Sequence, residues 1–262
     1  MTHFTWNFDP ILITLGSFQI HWYGVCFALA ISSGYYLMNW ILKKEGQNLE
    51  ELDSLLYYLV IGIIVGARLG HCLFYEPELY LSHPIEILKI WKGGLASHGA
   101  VLGLFIAVFV FSKRHSQFSF FYIFDRLSVC AMPAAALIRL GNFFNSEIIG
   151  NPTEQPWGII FERRDLVPRH PSQLYEMLVY TLLFIILFSL YLKTNLRDKK
   201  CFFTGLTLSL VFLARFCLEF FKRSQSEWAQ TTTLSAGQWL SIPLIIVGFF
   251  LIFKSLKPTK ES

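Results

Sequence analysis

Charge is scarce in this chain. Asp, Glu, Lys and Arg make up only 15% of its 262 residues, against about 25% in soluble globular domains. Internal repeats and low-complexity tracts are also missing. Hydrophobic residues reach 54%, and the mean hydropathy is +0.48. This balance argues against a soluble domain and indicates a protein that lies largely within a membrane.

The chain also lacks the patterns of a disulfide framework or a metal site. Its five cysteines are odd in number, and no two form a closely spaced pair of the kind that binds zinc. We therefore expect them to be small buried hydrophobic residues and expect no metal ion. The net charge of +4 is modest and gives no reason to expect a nucleic-acid partner.

The first ten residues contain no basic stretch followed by a short apolar segment and a cleavage site. They therefore do not resemble a cleavable signal peptide, and we expect the first apolar segment to stay in the mature protein.

Apolar segments long enough to cross a bilayer recur along the whole chain and predict about seven helices. Each must be helical, because lipid offers no partner to an unpaired backbone group. We expect an all-α membrane protein in which residues 1–262 form a single polytopic transmembrane domain. The predicted spans are about 18–42, 55–75, 95–112, 119–141, 174–192, 202–221 and 238–254.

Two longer connections separate these spans. Residues 145–172 contain four prolines and charges of both signs, and we interpret them as a small extracytoplasmic cap. Residues 76–94 are the second connection, in which we expect a short surface helix.

The distribution of basic residues predicts the orientation. Residues 1–17 contain no Lys or Arg, whereas the alternate loops that follow are basic. With seven spans these loops share one side, which places the N-terminus outside and the C-terminus in the cytoplasm. The basic residues concerned are Lys43, Lys44, Lys113, Arg114, Lys193, Arg197, Lys199, Lys200, Lys254, Lys257 and Lys260.

Several predicted spans contain ionisable residues, which are costly inside a bilayer at roughly 2.5–3.5 kcal/mol each. Individually each has a structural explanation: Arg215 and Glu219 could neutralise each other, Arg126 could reach the interface, and His98 could cap a helix. Together they need a shared polar interior, and converging arginines favour an anion. These residues are Arg68, His98, Asp125, Arg126, Arg139, Arg215 and Glu219.

Two local motifs are the richest in polar groups. In the first, Arg139 and Asn142 lie three residues apart and share a helical face, and Glu147 and Gly150 follow where the helix should leave the membrane. The second, residues 169–176, has Pro and Ser at the start of the fifth span and by itself is typical of a capped helix start.

These residues resemble the prolipoprotein diacylglyceryl transferase family. The family signature Gly-Arg-x-Gly-Asn-Phe-x-Asn-x-Glu-x-x-Gly matches residues 138–150 except at Ile138, which stands in place of the first Gly. The similarity continues in order along nearly the whole chain. Its other blocks are 22–24, 66–70, 93–99, Asp125 with Pro133, 170–176, Arg215 with Glu219, and 234–243.

The resemblance implies a seven-span enzyme of the bacterial inner membrane without a metal or organic cofactor. Its implied partners are phosphatidylglycerol, surrounding membrane lipid and preprolipoproteins with a lipobox cysteine. The diacylglyceryl group would pass to the cysteine thiol as a thioether, and glycerol phosphate would leave. The implied catalytic residues are Arg139, Arg215 and His98, and the implied phosphatidylglycerol-binding residues are Arg139, Asn142, Tyr23, Glu147, Gly150 and Glu219.

The role of His98 stays open between a general base for the thiol and a residue that positions a helix or the head group. Glu147 and Glu219 are expected to orient the arginines. Some family members carry Tyr four residues before Arg215, where this chain has Val211. Any role of that tyrosine therefore does not transfer to this chain.

Rival interpretations come from other classes. A polytopic lipid transporter or lipid-binding membrane protein would also carry buried charges, but it predicts repeats, which are missing. An intramembrane hydrolase would use Ser97 with His98, but adjacent residues project in different directions from a helix. A purely structural subunit would not need so many interior charges.

Overall fold

The computed structural model describes residues 3–90, 93–222 and 234–257, except for the Ser97 side chain. The described chain is built mainly from eight α-helices. They are α1 (Trp22–Lys44), α2 (Glu50–Phe74), α3 (Pro77–Ser82), α4 (Ser97–Arg114), α5 (Phe120–Phe144), α6 (Ser172–Lys193), α7 (Phe202–Leu218) and α8 (Ala236–Leu256).

The expected all-α membrane fold is confirmed. Within the described residues, six helices (α1, α2, α5, α6, α7 continuing to Phe221, and α8) are long and apolar enough to cross a membrane. The remaining predicted span, the third along the chain at about 95–112, corresponds to α4, an 18-residue helix. The expected surface helix between the second and third spans is α3, followed by a 3₁₀ turn at Pro84–Leu88.

The start of the first span was predicted too early. Residues Ile11–Leu15 (β2) and Phe18–His21 (β3) form an antiparallel hairpin, and α1 begins only at Trp22. Hydropathy does not distinguish apolar strand from apolar helix, which explains the error.

The chain divides into two compact units. One comprises Met1–Leu37 with Asp125–Ser262, and the other comprises Met38–Phe124. The boundaries fall within α1 and α5.

In the 38–124 unit, α2 packs on α4 through glycines. A Cβ added at Gly66 would collide with the backbone oxygen of Gly99, and one at Gly70 would lie 2.8 Å from the Gly99 Cα. Helices in lipid gain van der Waals contact in this way when small residues let the backbones approach closely.

Arg68, one of the ionisable residues within the predicted spans, is held by hydrogen bonds within this unit. Its guanidinium donates to the backbone oxygens of Glu86, Ile87 and Gly93 at 2.6, 2.9 and 2.5 Å, and it lies over the Tyr80 ring. This buried arginine therefore holds the loop between α3 and α4.

Asp125 has a comparable structural role in the other unit. Its carboxylate accepts from the backbone N–H groups of Cys201 and Thr204 at 2.9 and 2.8 Å and from the Thr204 hydroxyl at 2.7 Å. An acidic group suits this place because the first N–H groups of α7 have no partner within the helix.

The segment expected to form a cap contains two short strands. Ile159–Phe161 (β4) pairs in parallel with Phe4–Trp6 (β1) and antiparallel with Pro168–Arg169 (β5). The aromatic rings of Trp6 and Phe143 lie 4.4 Å apart at their centroids and connect this sheet to the end of α5.

The described cysteines form no disulfide. Four are buried as expected, but Cys217 is exposed on α7. Its position in an apolar helix gave no information about which face it occupies.

Candidate active site

Glu176 lies at the centre of a buried ionic cluster. It is on α6, one turn from the start of the helix, and only 1% of its surface is exposed. Its Oε2 lies 2.9 Å from Nε of Arg139 on α5, and its Oε1 accepts from Nζ of Lys222 at 2.6 Å. A buried carboxylate needs such partners, because desolvation of an unpaired charge costs several kcal/mol.

Arg139 and Arg215 interact with the same side chain. Tyr180 lies one helical turn beyond Glu176 on α6, within electrostatic range of Arg139 and Arg215. The structure therefore brings α5, α6 and α7 together at this point. The Nε of Arg215 is buried and has no hydrogen-bond partner among the described residues.

The signature motif forms a chain of amide and carboxylate contacts. The Nη1 of Arg139 donates to Oδ1 of Asn142 at 3.2 Å, and Nδ2 of Asn142 donates to Oε2 of Glu147 at 3.3 Å. Asn145 donates to the other Glu147 oxygen at 3.4 Å. Each contact fixes the next, so Arg139 is oriented both by Glu176 and by this chain.

Tyr23 of α1 joins the same region. Its hydroxyl is within electrostatic range of Glu147 and Arg139. Gly141 makes this approach possible, because a Cβ there would lie 2.9 Å from the Tyr23 ring and 3.2 Å from the Cys26 Cβ.

Gly150 lies where two other chain segments cross. Its N–H donates to the His170 oxygen at 3.0 Å, and a Cβ would lie 2.5 Å from that oxygen and 2.6 Å from the Phe221 oxygen. A side chain at this position would therefore push apart the segments that carry Glu176 and Lys222. Before it, Ser146 and Ile148 adopt positive φ angles of 53° and 54°.

The loop before α6 is held by side chains that face the signature motif. The Ser172 hydroxyl donates to the Ile148 oxygen at 2.6 Å, and Nε2 of Gln173 donates to the Glu147 oxygen at 2.5 Å. The helix begins here as predicted. The expected cap is wrong, however, because no side chain caps the start of α6.

His170 has a neutral environment in this loop. Its Nδ1 lies 3.0 Å from the Tyr175 hydroxyl, and the indole N–H of Trp157 donates to the same hydroxyl oxygen at 2.9 Å. Burial lowers the pKa of His170, because desolvation disfavours the charged imidazolium.

Among the ion pairs of the described residues, none joins Glu219 to Arg215. A Cβ added at Gly237, in the first turn of α8, would lie 2.6–2.8 Å from the carboxylate atoms of Glu219. The Glu219 carboxylate therefore packs directly on Gly237, at the end of a helix where negative charge is favoured.

An apolar cavity of about 240 Å³ opens between α5 and α6. Three of the residues that line this cavity come directly after residues discussed above: Leu140 after Arg139, Met177 after Glu176, and Thr181 after Tyr180. The same two helices thus present a cationic cluster beside an apolar groove.

His98 belongs to the 38–124 unit. It is exposed near the start of α4, and its ring lies 5.8 Å from the rings of Phe74 and Tyr75. It also lines an apolar cavity of about 690 Å³ along α2 and α4. The Ser97 side chain, which the hydrolase interpretation would need, lies outside the described part of the chain.

Sequence reasoning left three members of this cluster out of the predicted site: Glu176, which it assigned to a helix start within the 169–176 motif, Tyr180 and Lys222. A signal existed for Glu176, because a carboxylate within an apolar span is costly and needs a partner. Tyr180 and Lys222 carried no comparable signal, since tyrosine is ordinary in a membrane helix and Lys222 follows the end of α7.

The arrangement can bind an anion. Arg139 and Lys222 share one carboxylate, which leaves one excess positive charge, and Arg215 adds a second. The Glu147 carboxylate accepts from the amides of Asn142 and Asn145, and the Glu219 carboxylate packs on Gly237. Guanidinium groups in this setting suit phosphate oxygens, because they offer several fixed N–H donors. Among the described residues, no three His, Cys, Asp or Glu side chains are grouped to hold a metal ion.

The fold and the site define the class of this protein. It is a multi-pass membrane protein with a buried cationic cluster beside an apolar groove. The model of the prolipoprotein diacylglyceryl transferase family matches residues 10–254. The chain belongs to this family.

Similar proteins cover nearly the full chain. A phosphatidylglycerol–prolipoprotein diacylglyceryl transferase of Tolumonas auensis is 49% identical over 252 residues, covering 96% of this chain and 97% of the relative. The enzyme of the same name from Chloroherpeton thalassium is also 49% identical, with 96% and 94% covered. That of Porphyromonas gingivalis is 43% identical over 272 residues, with 97% and 95% covered.

Proposed function

We propose that this chain transfers the diacylglyceryl group of phosphatidylglycerol to the lipobox cysteine of preprolipoproteins. The proposal is supported by membership of the family and by relatives whose names state this reaction. One structural observation carries it: Arg139, held by Glu176 with 2.9 Å between Nε and Oε2, lies on α5 beside an apolar groove between α5 and α6. A cationic cluster next to an apolar groove matches a lipid with an anionic head group.

In this reaction the thiol sulfur attacks the terminal glycerol carbon of the diacylglycerol. A carbon–sulfur bond forms, the carbon–oxygen bond to phosphate breaks, and its electron pair leaves on the phosphate oxygen. Glycerol phosphate and the thioether are the products, and the thiol proton is released.

The arginines are assigned to the phosphate. Negative charge on the leaving oxygen rises as the carbon–oxygen bond breaks, and fixed N–H donors stabilise that charge without having to reorganise. Arg139 is held by Glu176 and Asn142, while the free Nε of Arg215 offers a donor to the lipid.

The remaining predicted site residues surround the arginines. Asn142, Tyr23 and Glu147 are assigned to the head group, Gly150 keeps the loop segments in contact, and Glu219 supports α7 against α8. His98 is assigned either to proton abstraction from the acceptor thiol or to a hydrogen bond with the head group. Replacement by Gln and by Ala separates these two roles.

The decisive experiment uses the purified full-length protein in detergent with phosphatidylglycerol and a lipobox peptide. Glycerol phosphate release and a peptide mass increased by one diacylglyceryl group are the expected results. A peptide with Ser in place of Cys is the matched control and should remain unmodified. Absence of the mass increase with the Cys peptide would contradict the proposal.

We also propose an orientation in a bacterial inner membrane, with the N-terminus and residues 145–172 outside and the C-terminus in the cytoplasm. The bias of Lys and Arg between loops supports it. A green fluorescent protein fused to the C-terminus should fluoresce, and alkaline phosphatase at the same place should be inactive. The reverse pair of results would contradict this orientation.

A further inference from the structure

Lys222 is a cation of the ionic cluster that lies outside the signature motif. Its Nζ donates to Oε1 of Glu176 at 2.6 Å, while Nε of Arg139 lies 2.9 Å from the other oxygen of that carboxylate. Only 12% of the Lys222 side chain is exposed, against 2% for Glu176. One carboxylate therefore has two cationic neighbours in a place largely closed to solvent, where excess charge of one sign needs a counter-ion.

Backbone hydrogen bonds fix the position of Lys222 independently of its ion pair. Residue 222 forms an antiparallel bridge with Gly150, and the Asn151 N–H donates to the Phe221 oxygen at 2.9 Å. The side-chain amide of Asn151 donates to the Phe220 oxygen at 3.3 Å. Since these bonds hold the segment in place, the ammonium group is not needed to attach it. The segment instead presents the Lys222 side chain to the ionic cluster.

The ammonium group of Lys222 has unused N–H donors. It carries three N–H bonds, and Glu176 is the one side chain to which it donates among the described residues. A phosphate oxygen is a favourable acceptor for a further donor, because hydrogen bonds between charged groups are about twice as strong as those between neutral groups.

The two cations also have a separation that suits a phosphodiester. A carboxylate and a phosphodiester each carry two unesterified oxygens on one central atom, and the two oxygens share the negative charge. Arg139 and Lys222 lie beside different oxygens of the Glu176 carboxylate. A phosphate with two neighbouring oxygens can therefore meet the same two cations from the side away from Glu176.

We propose that Lys222 is a further phosphatidylglycerol-binding residue, whose ammonium group donates to one phosphate oxygen while the Arg139 guanidinium binds another. This inference rests on the proposed function. Glu176 acts as the spacer that holds both cations at the separation of the two oxygens. The lipid phosphate is charged before the reaction begins, so this contact forms in the bound lipid and in the transition state alike.

The test compares Lys222→Met with the parent protein in the transfer assay with phosphatidylglycerol and a lipobox peptide. Methionine keeps an unbranched side chain and removes the charge. We expect KM for the lipid to rise about ten- to a hundredfold, the range for one hydrogen bond to a charged group, with kcat changed much less. Lys222→Arg keeps the charge and should largely restore the parent KM. A merely structural lysine would lower the amount of folded protein without raising KM.

Lys193→Met is the matched control. Lys193 is exposed in the last turn of α6, seventeen residues after Glu176 and roughly 25 Å along the helix axis. This variant should keep the parent KM. A folded Lys222→Met enzyme with KM within twofold of the parent, or an equal rise in both variants, would overturn the role of Lys222.

Inhibition by glycerol phosphate, the expected product, gives a second measurement. This molecule has the phosphate but no acyl chains, so its inhibition constant reports the phosphate contact without the lipid tails. The constant should rise in Lys222→Met by a factor similar to that for KM. An unchanged inhibition constant would place Lys222 away from the phosphate and contradict the proposal.

Lys222→Gln covers the case in which Lys222→Met fails to accumulate in membranes. The amide can still donate to Glu176, which supports folding, but the charge is lost. The same rises in KM and in the inhibition constant are expected, and parent values for both would refute the proposal. A parent protein that does not transfer the diacylglyceryl group would instead refute the proposed function, so the two failures are distinguishable.

Discussion

Glu176 of α6 holds Arg139 of α5 by an ion pair with 2.9 Å between Oε2 and Nε, and both charges are largely removed from solvent. This contact decides where the Arg139 guanidinium points. The same carboxylate binds Lys222, so one acidic side chain on α6 fixes a residue of α5 and the segment after α7. The predictions below follow from this arrangement and from the structural charges around it.

Replacement of Glu176 by Gln should destabilise the protein and reduce transfer. The change leaves Arg139 and Lys222 without their counter-charge, and breaking a buried ion pair in this way costs about 3–5 kcal/mol. Unfolding followed by intrinsic fluorescence in detergent measures the loss. In the double variant with Lys222→Gln the two effects should not add, because both act on one contact. Additive effects would argue against coupling.

Arg139→Ala should abolish transfer while the protein still folds and inserts. Loss of a preorganised donor to the leaving phosphate is expected to lower kcat by at least about a hundredfold. Size-exclusion chromatography verifies folding. Arg114→Ala, at an exposed arginine of the other unit, serves as the control and should keep its activity. A well-expressed and fully active Arg139→Ala enzyme would refute the phosphate role.

His98 should be replaced by Gln and by Ala in parallel. If the imidazole abstracts the thiol proton, both variants lose transfer, because neither side chain titrates near neutral pH. Activity retained by the Gln variant alone would show that a hydrogen bond suffices. The pH dependence of kcat/KM in the parent enzyme gives an independent measure of a titrating group.

Asp125→Asn should lower stability but not turnover. The carboxylate accepts hydrogen bonds from two backbone N–H groups and one hydroxyl at the start of α7. Weakening these hydrogen bonds should lower the free energy of unfolding by about 1–3 kcal/mol. Turnover per folded molecule should match the parent. A variant that unfolds like the parent yet has lost turnover would place Asp125 in the chemistry.

Gly237→Ala should reduce transfer by displacing Glu219. The added Cβ would lie 2.6–2.8 Å from the carboxylate atoms, which must then move away from α8. The control is Gly24→Ala on α1, where a Cβ meets no atom within 4 Å. If both variants turn over at the parent rate, the packing of Glu219 on Gly237 has no functional consequence.

The sequence was most informative about the signature motif, whose polar residues follow one another closely at the end of α5 and in the loop after it. The signature residues Arg139, Asn142 and Glu147 do form one connected chain, and the turn from helix to loop follows as the motif indicated. The convergence of Arg215 with Arg139 on one phosphate stays a prediction. The mutual neutralisation of Arg215 and Glu219, considered as an alternative, is not what the structure shows.

Other charges looked equally functional in the sequence and have structural roles instead. Arg68 holds backbone oxygens of the loop between α3 and α4, and Asp125 holds the start of α7. Hydropathy shows the cost of burying these groups but does not identify their hydrogen-bond partners, which are 18 or more residues away in the chain.

By itself the sequence determined the membrane class, the approximate helices and the family, because apolar length and local motifs are properties of consecutive residues. Only the tertiary structure decided which carboxylate orients Arg139 and which charges merely support loops. These depend on contacts between separate helices. An apolar helix can turn any face towards its neighbours, and its sequence does not state which residue of another helix it will meet.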